Sequence, residues 1–183
     1  MRKTLVAGLV FGALFIWGAS AEGTLTLNDL DRLIDRNYCV GCISQGIMSY
    51  TVDSGALREA GLPLSGSLLT SERGDLLRNN AGNFLVRQSF EYKDYFFMFV
   101  GSTANNRTVL SDVLVIQKET QDEWLAIGPS RVDGKDSNHY WLIVTETDWT
   151  AETDEVRAVF FANPATMRIE ELEFTSATFF SEI

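Results

Sequence analysis

The residues best suited to chemistry are few. Cys39 and Cys42, in the stretch "NYCVGCIS", are the only two cysteines, and His139 is the only histidine. A Cys-x-x-Cys pair serves several chemistries, and its neighbours decide between them. Covalent haem attachment needs a histidine directly after the second cysteine, and residue 43 is Ile. A tetrahedral zinc site needs four ligands, and two thiols with one imidazole fall short. A redox dithiol is activated where a strand runs into a helix N-terminus that stabilises thiolate. Here the preceding "LDRLIDRNY" is helical in pattern, so that context is missing. The favoured reading is a Cys39–Cys42 disulfide that stiffens the joint after the first helix. Closing so short a loop stabilises by roughly 2 kcal/mol at most.

Any Ser-His-Asp or Cys-His device must use His139, which opens the apolar run "HYWLIV". No Gly-x-Ser-x-Gly elbow occurs, so the expected role is a strand-end histidine with a local hydrogen bond. "DGKDSN" at 133–138 lacks the residue order of a calcium loop and reads as a polar hairpin loop. No glycine-rich phosphate loop is present. These readings assign no catalytic, cofactor-binding or metal-ligating residue, and no cofactor.

Recognition chemistry has a clearer candidate in "ETDWTAETDE", residues 146–155. Glu146, Asp148, Glu152, Asp154 and Glu155 surround Trp149 there, with no base among them. A tryptophan is a good interface anchor, and ringing acids steer a cationic partner. The segment lies between two apolar strand patterns and reads as a projecting loop. The wider charge agrees. The chain carries 25 acidic against 15 basic residues, a formal net charge of −10. Beyond residue 145 the only bases are Arg157 and Arg168. Such a surface repels nucleic acid and anionic lipid and favours a basic protein partner.

The N-terminus supplies an address. Arg2 and Lys3 precede an apolar stretch from Leu5 to Gly18, followed by Ala19-Ser20-Ala21. This is the layout of a cleaved signal peptide over residues 1–21. The stretch is shorter than the roughly 20 apolar residues of a spanning helix. The expectation is a periplasmic or secreted protein, residues 22–183, with no stable membrane anchor after cleavage, folded as one domain.

Two periodicities position these residues. Over 24–80 apolar side chains recur at helical spacing. Leu27, Leu30, Leu33 and Ile34 form one stripe, capped by Thr26 or Asn28; Ser54 to Gly61 reads as a second helix, and Ser71 to Asn80 as a third. From 84 to 175 the period becomes two. "FLVRQSFEY" alternates, Lys93-Asp94 makes a turn, and "YFFMFV" has no polar face, so it must be covered on both sides. Further strands follow in "TVLSDVLVIQK", "EWLAIG", "HYWLIVTE", "EVRAVFFA" and "TMRIEELEF", the last with a bulge or helical turn at Glu170-Glu171. The expected class is α+β: short N-terminal helices packed on a curved antiparallel meander sheet of about six to seven strands.

One local resemblance occurs. "GNFLVRQS", 82–89, resembles the arginine-bearing strand of phosphotyrosine-binding Src-homology domains, and "HYWLI" echoes their histidine strand. The two echoes are too far apart in the chain for that family, so Arg87 is read as a residue of the strand's polar face. The functional expectation is a non-enzymatic interaction protein, an inhibitor or immunity-type partner of a basic envelope enzyme. The alternatives are a thiol–disulfide protein using Cys39 and Cys42, and a carrier whose apolar pocket is lined by Phe96, Phe97 and Phe99.

Overall fold

The computed structural model describes residues 23–35, 50–145 and 155–180. The signal-peptide segment, Cys39 and Cys42, and Glu146, Asp148, Trp149, Glu152 and Asp154 lie outside the described residues. Two of the three helices expected at the N-terminal end are present. Helix α1 (Leu27–Asp35) buries Leu30 and Leu33. Its cap is Thr26: the Asp29 N–H donates to Thr26 Oγ1 (3.4 Å) and the Thr26 N–H donates back to Asp29 Oδ2 (2.9 Å). This reciprocal pairing satisfies donors that the first helical turn leaves free. Helix α2 (Ser54–Glu59) is capped one residue earlier than expected, by Asp53, whose Oδ1 accepts from Gly55 and Ala56 N–H.

Most of the rest of the described chain is strand, and the strands neither follow a separate helical half nor form the single meander expected. Strands β1 (Gly23–Thr24), β2 (Tyr50–Asp53) and β3 (Ser65–Leu68) lie inside the supposed helical part. They join β4 (Phe84–Tyr92), β5 (Tyr95–Ala104) and β6 (Arg107–Gln117) in a six-stranded sheet of order β1-β2-β6-β5-β4-β3, with β1 parallel to β2. The chain then leaves this sheet. Strands β7 (Glu123–Ile127), β10 (Tyr140–Thr145), β11 (Glu155–Asn163) and β12 (Arg168–Leu172) form a second sheet of order β12-β11-β10-β7. A third contains β8 (Ser130–Val132), β9 (Lys135–Ser137) and β13 (Ala177–Phe179), in the order β13-β8-β9. The polar run at 133–138 is thus a true hairpin, turning at Asp133-Gly134.

The expected third helix is absent. Thr70 bridges Leu76 and Arg78 bridges Phe84, so residues 70–84 form tight turns along the sheet. Ser71 Oγ accepts from the Arg73 and Asp75 N–H groups, and Gly74 has φ +83°. A side chain that offers the backbone a turn, with a left-handed residue behind it, outcompetes the helix. Glu170-Glu171 needs no bulge, because β12 pairs with β11 without a register break.

The sheets stack face to face. Along β5 the alternation is strict. Phe96, Met98 and Val100 enter the core between the two large sheets with Trp141, Ile143, Phe160 and Ile169. Phe97 and Phe99 point the other way, under Leu30, Leu33 and Leu57 of the helices. "YFFMFV" is therefore covered on both sides, as its composition requires. The same alternation removes the shared pocket of Phe96, Phe97 and Phe99, since these rings lie on opposite faces. On the far side of the second sheet, Leu142, Val144 and Val159 pack on Val132, Ala177 and Phe179 of the third.

Candidate functional site

Among the described residues, two clusters of polar and ionisable side chains lie at opposite ends of the β10–β11 hairpin. The first is the end from which residues 146–154 run. Thr145 pairs with Glu155 on one side and with Glu123 on the other, so Glu123, Thr145 and Glu155 form one cross-strand row. Of the acids expected to recognise a partner, Glu155 is described and is exposed.

A bulge shapes this end. Ile143 pairs with Ala158 but Val144 pairs with Val156, leaving Arg157 as the extra residue of β11. The bulge turns Arg157 onto Glu123, a typical effect of an inserted strand residue. Arg157 Nε and Nη2 donate to the two Glu123 oxygens at 2.5 and 2.9 Å, and Nη1 donates to Glu119 at 3.3 Å. The Glu123 side chain is 1% exposed and also accepts the Glu119 N–H at 2.8 Å. Burial pushes its carboxyl up, but the bonds from Arg157 and Glu119 outweigh that and hold it below the usual range. Lys118 is committed in the same way, 3.4 Å from Glu91 with its ammonium 5.2 Å from the Phe96 ring centroid. Asp94 is tied to this end by Gln121 Nε2 at 3.1 Å, a neutral donor, and makes no ion pair among the described residues. Asp122 and Glu155 are exposed and make no ion pair among the described residues.

The second place is a groove of about 650 Å³ at the Tyr140–Phe161 end of the hairpin. Its walls are the 70–77 turn and the β9–β10 connection, and Phe161 and Pro164 close its base. His139 sits in it, 9% exposed. The Thr70 N–H donates to His139 Nε2 at 3.2 Å, the His139 N–H donates to Ser137 Oγ at 3.0 Å, and the Phe161 ring lies 6.0 Å away. The local hydrogen bond expected for this strand-end histidine is made by its backbone, to Ser137, but the ring's partner is Thr70, remote in sequence. Nε2 accepts a backbone N–H, so the neutral ring carries its proton on Nδ1 and has no free lone pair for a general base. Burial pushes its pKa below the ordinary imidazole value, and the charge of Arg87 adds to that.

Arg87 corrects the sequence reading outright. It is fully buried between the two large sheets, not on a polar face. Nη1 donates to the Tyr140 carbonyl across the sheets at 2.5 Å and Nε to Ser67 Oγ at 3.1 Å. Its Cζ lies 5.5 Å from the Trp141 ring centroid. Burial pulls its pKa down to about 10. Asp112 makes the matching clamp: its Oδ2 accepts the Ile169 N–H of β12 at 2.9 Å and its Oδ1 the Val113 N–H at 3.0 Å. Arg87 and Asp112 flank Val100 in one register row, so each of two strands contributes one polar tie between the sheets.

Sequence reasoning missed Arg87, Arg157, Glu123 and Thr70. An arginine or glutamate inside an alternating strand reads as solvent-facing, and only the second sheet and the bulge reverse that. Among the described residues no three His, Cys, Asp or Glu side chains converge as metal ligands. No protein-family model, curated protein or solved structure matches the chain.

Proposed function

We propose that this is an exported protein that acts by binding a basic protein partner, with the Glu123–Thr145–Glu155 end of the second sheet as its contact surface. The observation that carries this reading is the commitment of the local cations. Arg157 is spent on Glu123 and Glu119, and Lys118 on Glu91. The potential around Asp94, Asp122 and Glu155 is therefore left negative, and Glu146, Asp148, Glu152 and Asp154 fall in the sequence between Thr145 and Glu155 of that row. A single-sign surface of this kind raises association rates and rejects acidic competitors. Trp149 supplies an apolar anchor of the type that dominates binding energy. The address rests on the signal-peptide layout of residues 1–21. An inhibitor or immunity-type role toward a basic envelope enzyme is the most specific form of the reading.

The test is capture from the exported fraction of the host. The protein should retain a basic protein, and Asp148→Lys, Glu152→Lys and Asp154→Lys together should reduce retention at least tenfold at low salt. Equal retention by the charge-reversed protein, or no retained protein at all, contradicts the reading.

A further inference from the structure

The groove holds a contact that depends on one proton. Residues 70–76 form an outward turn whose internal bonds are Ser71 N–H to Asp75 O (2.8 Å) and Gly74 N–H to Ser71 O (2.9 Å). Glu72, Arg73, Gly74, Asp75 and Leu76 are all exposed. Leu69 behind them is fully buried and fixed to β4 by its N–H to the Leu85 carbonyl. Among the described residues the one hydrogen bond that ties this turn to the opposite wall of the groove is Thr70 N–H to His139 Nε2. We infer that His139 is a proton-operated latch: neutral, it holds the 70–76 turn against the β9–β10 wall; protonated, it releases the turn and opens the groove.

The chemistry is a donor–donor conflict. A proton on Nε2 turns the acceptor into a donor that faces the Thr70 N–H, and both cannot stay buried at 3.2 Å. The charges around the ring decide how strongly the closed state resists protonation. From β4, the Arg87 guanidinium lies behind the ring and bonds the Tyr140 carbonyl, one residue from His139 in sequence. It has no carboxylate partner among the described residues, so a second buried cation beside it is uncompensated. From the 70–77 wall comes Glu72, and from β9 come Lys135 and Asp136; all three are exposed at the rim, where solvent screens them. Tyr140 of β10 is neutral, with its phenol pushed up by burial and by Asp133, and Phe161 of β11 carries no charge. The buried cation is the nearer and less screened influence. The closed state therefore favours the neutral ring, and the released state restores an ordinary imidazole.

The sign follows from linkage. A histidine whose pKa is lowered in the closed state stabilises that state fully above about pH 6.5 and loses it as pH falls. The consequence is local, because the turn is exposed while Leu69 and the ladders around it are buried.

Amide hydrogen exchange at residue resolution tests this directly, with rates corrected for intrinsic pH dependence. Between pH 7.5 and 4.5 the protection of the Thr70 amide should fall once below about 6.5, by at most about tenfold per pH unit and levelling where the closed state itself takes up the proton, while Phe99 and Leu114 in the β5–β6 ladder keep theirs. His139→Gln retains an acceptor and removes the titration, so its Thr70 protection should stay constant over that range. Constant protection of Thr70 in the unaltered protein overturns the latch, and so does an equal fall in His139→Gln. If the variant does not fold, the titration of the unaltered protein decides alone.

Discussion

Arg87 shows how far one buried residue sets local behaviour. Its guanidinium makes two hydrogen bonds, to Tyr140 O and Ser67 Oγ, while Nη2 has no partner among the described residues. A buried, partly satisfied cation is costly, and its removal need not destabilise if its volume is replaced. Arg87→Ala leaves a void between the sheets and should cost on the order of 3 kcal/mol. Arg87→Met fills most of that space and sheds the charge, so it should cost less than half as much. Urea unfolding of both variants checks this; equal losses would mean that the two hydrogen bonds, not the volume, hold the sheets here. The His139 latch belongs to the same neighbourhood, and loss of the Arg87 charge should ease its protonation.

Among the elements, two bulges do what alternation alone cannot. In β6, Val100 pairs with Asp112 but Gly101 pairs with Leu110, so Ser111 is the extra residue. On the C-terminal side of the bulge, Asp112 and Leu114 face the second sheet. On its N-terminal side Leu110 is shifted to the helix side, into the cluster that holds Val113, Phe97 and Phe99. Gly101 makes room for this crossing: a Cβ there would meet Thr108 Cγ2 at 2.8 Å and the Val109 carbonyl more closely still. Gly101→Ala should therefore destabilise by about 1–3 kcal/mol, measurable as a lower urea midpoint at unchanged slope; a stability equal to that of the unaltered protein would show that the strands slide freely. The bulge in β11 turns Arg157 onto Glu123 by the same device.

These bulges also mark where the sequence stops being legible. The period-two runs of β4, β5, β6, β7, β10, β11 and β12 are visible because each buries a continuous face. So are both helices, whose apolar stripes and caps are local. The chain's departure from the first sheet after Gln117 is not visible, because a strand pattern does not say which neighbour it pairs with. Strands β8, β9 and β13 are too short and polar to alternate clearly. The 71–80 stretch misleads because Ser71 reads as a helix start and Asn79-Asn80 as its end, while Ser71 and Gly74 dictate turns. Of the candidate site, the acidic run and its place between two strands are legible; the neutralisation of Arg157 and Lys118, which leaves that end negative, requires the fold.

For the molecule as a whole, the four layers commit the interior to packing and two polar ties, and leave most ionised side chains on the outside, with Asp94, Asp122 and Glu155 among the acids that make no ion pair among the described residues. Helices cover one face of the first sheet and the small third sheet covers the outer face of the second. Among the described residues, the acidic end, the His139 groove and the polar edge of β3 are three places where a partner could meet this scaffold. The central claim is that the partner meets the first of these. Hydrogen exchange of the protein alone and with the captured basic partner tests it most directly. The account predicts slowed exchange across 118–123 and 145–155, with β3 and 70–77 unchanged. Protection confined to the groove or to the β3 edge, or no protection at 145–155, would contradict it.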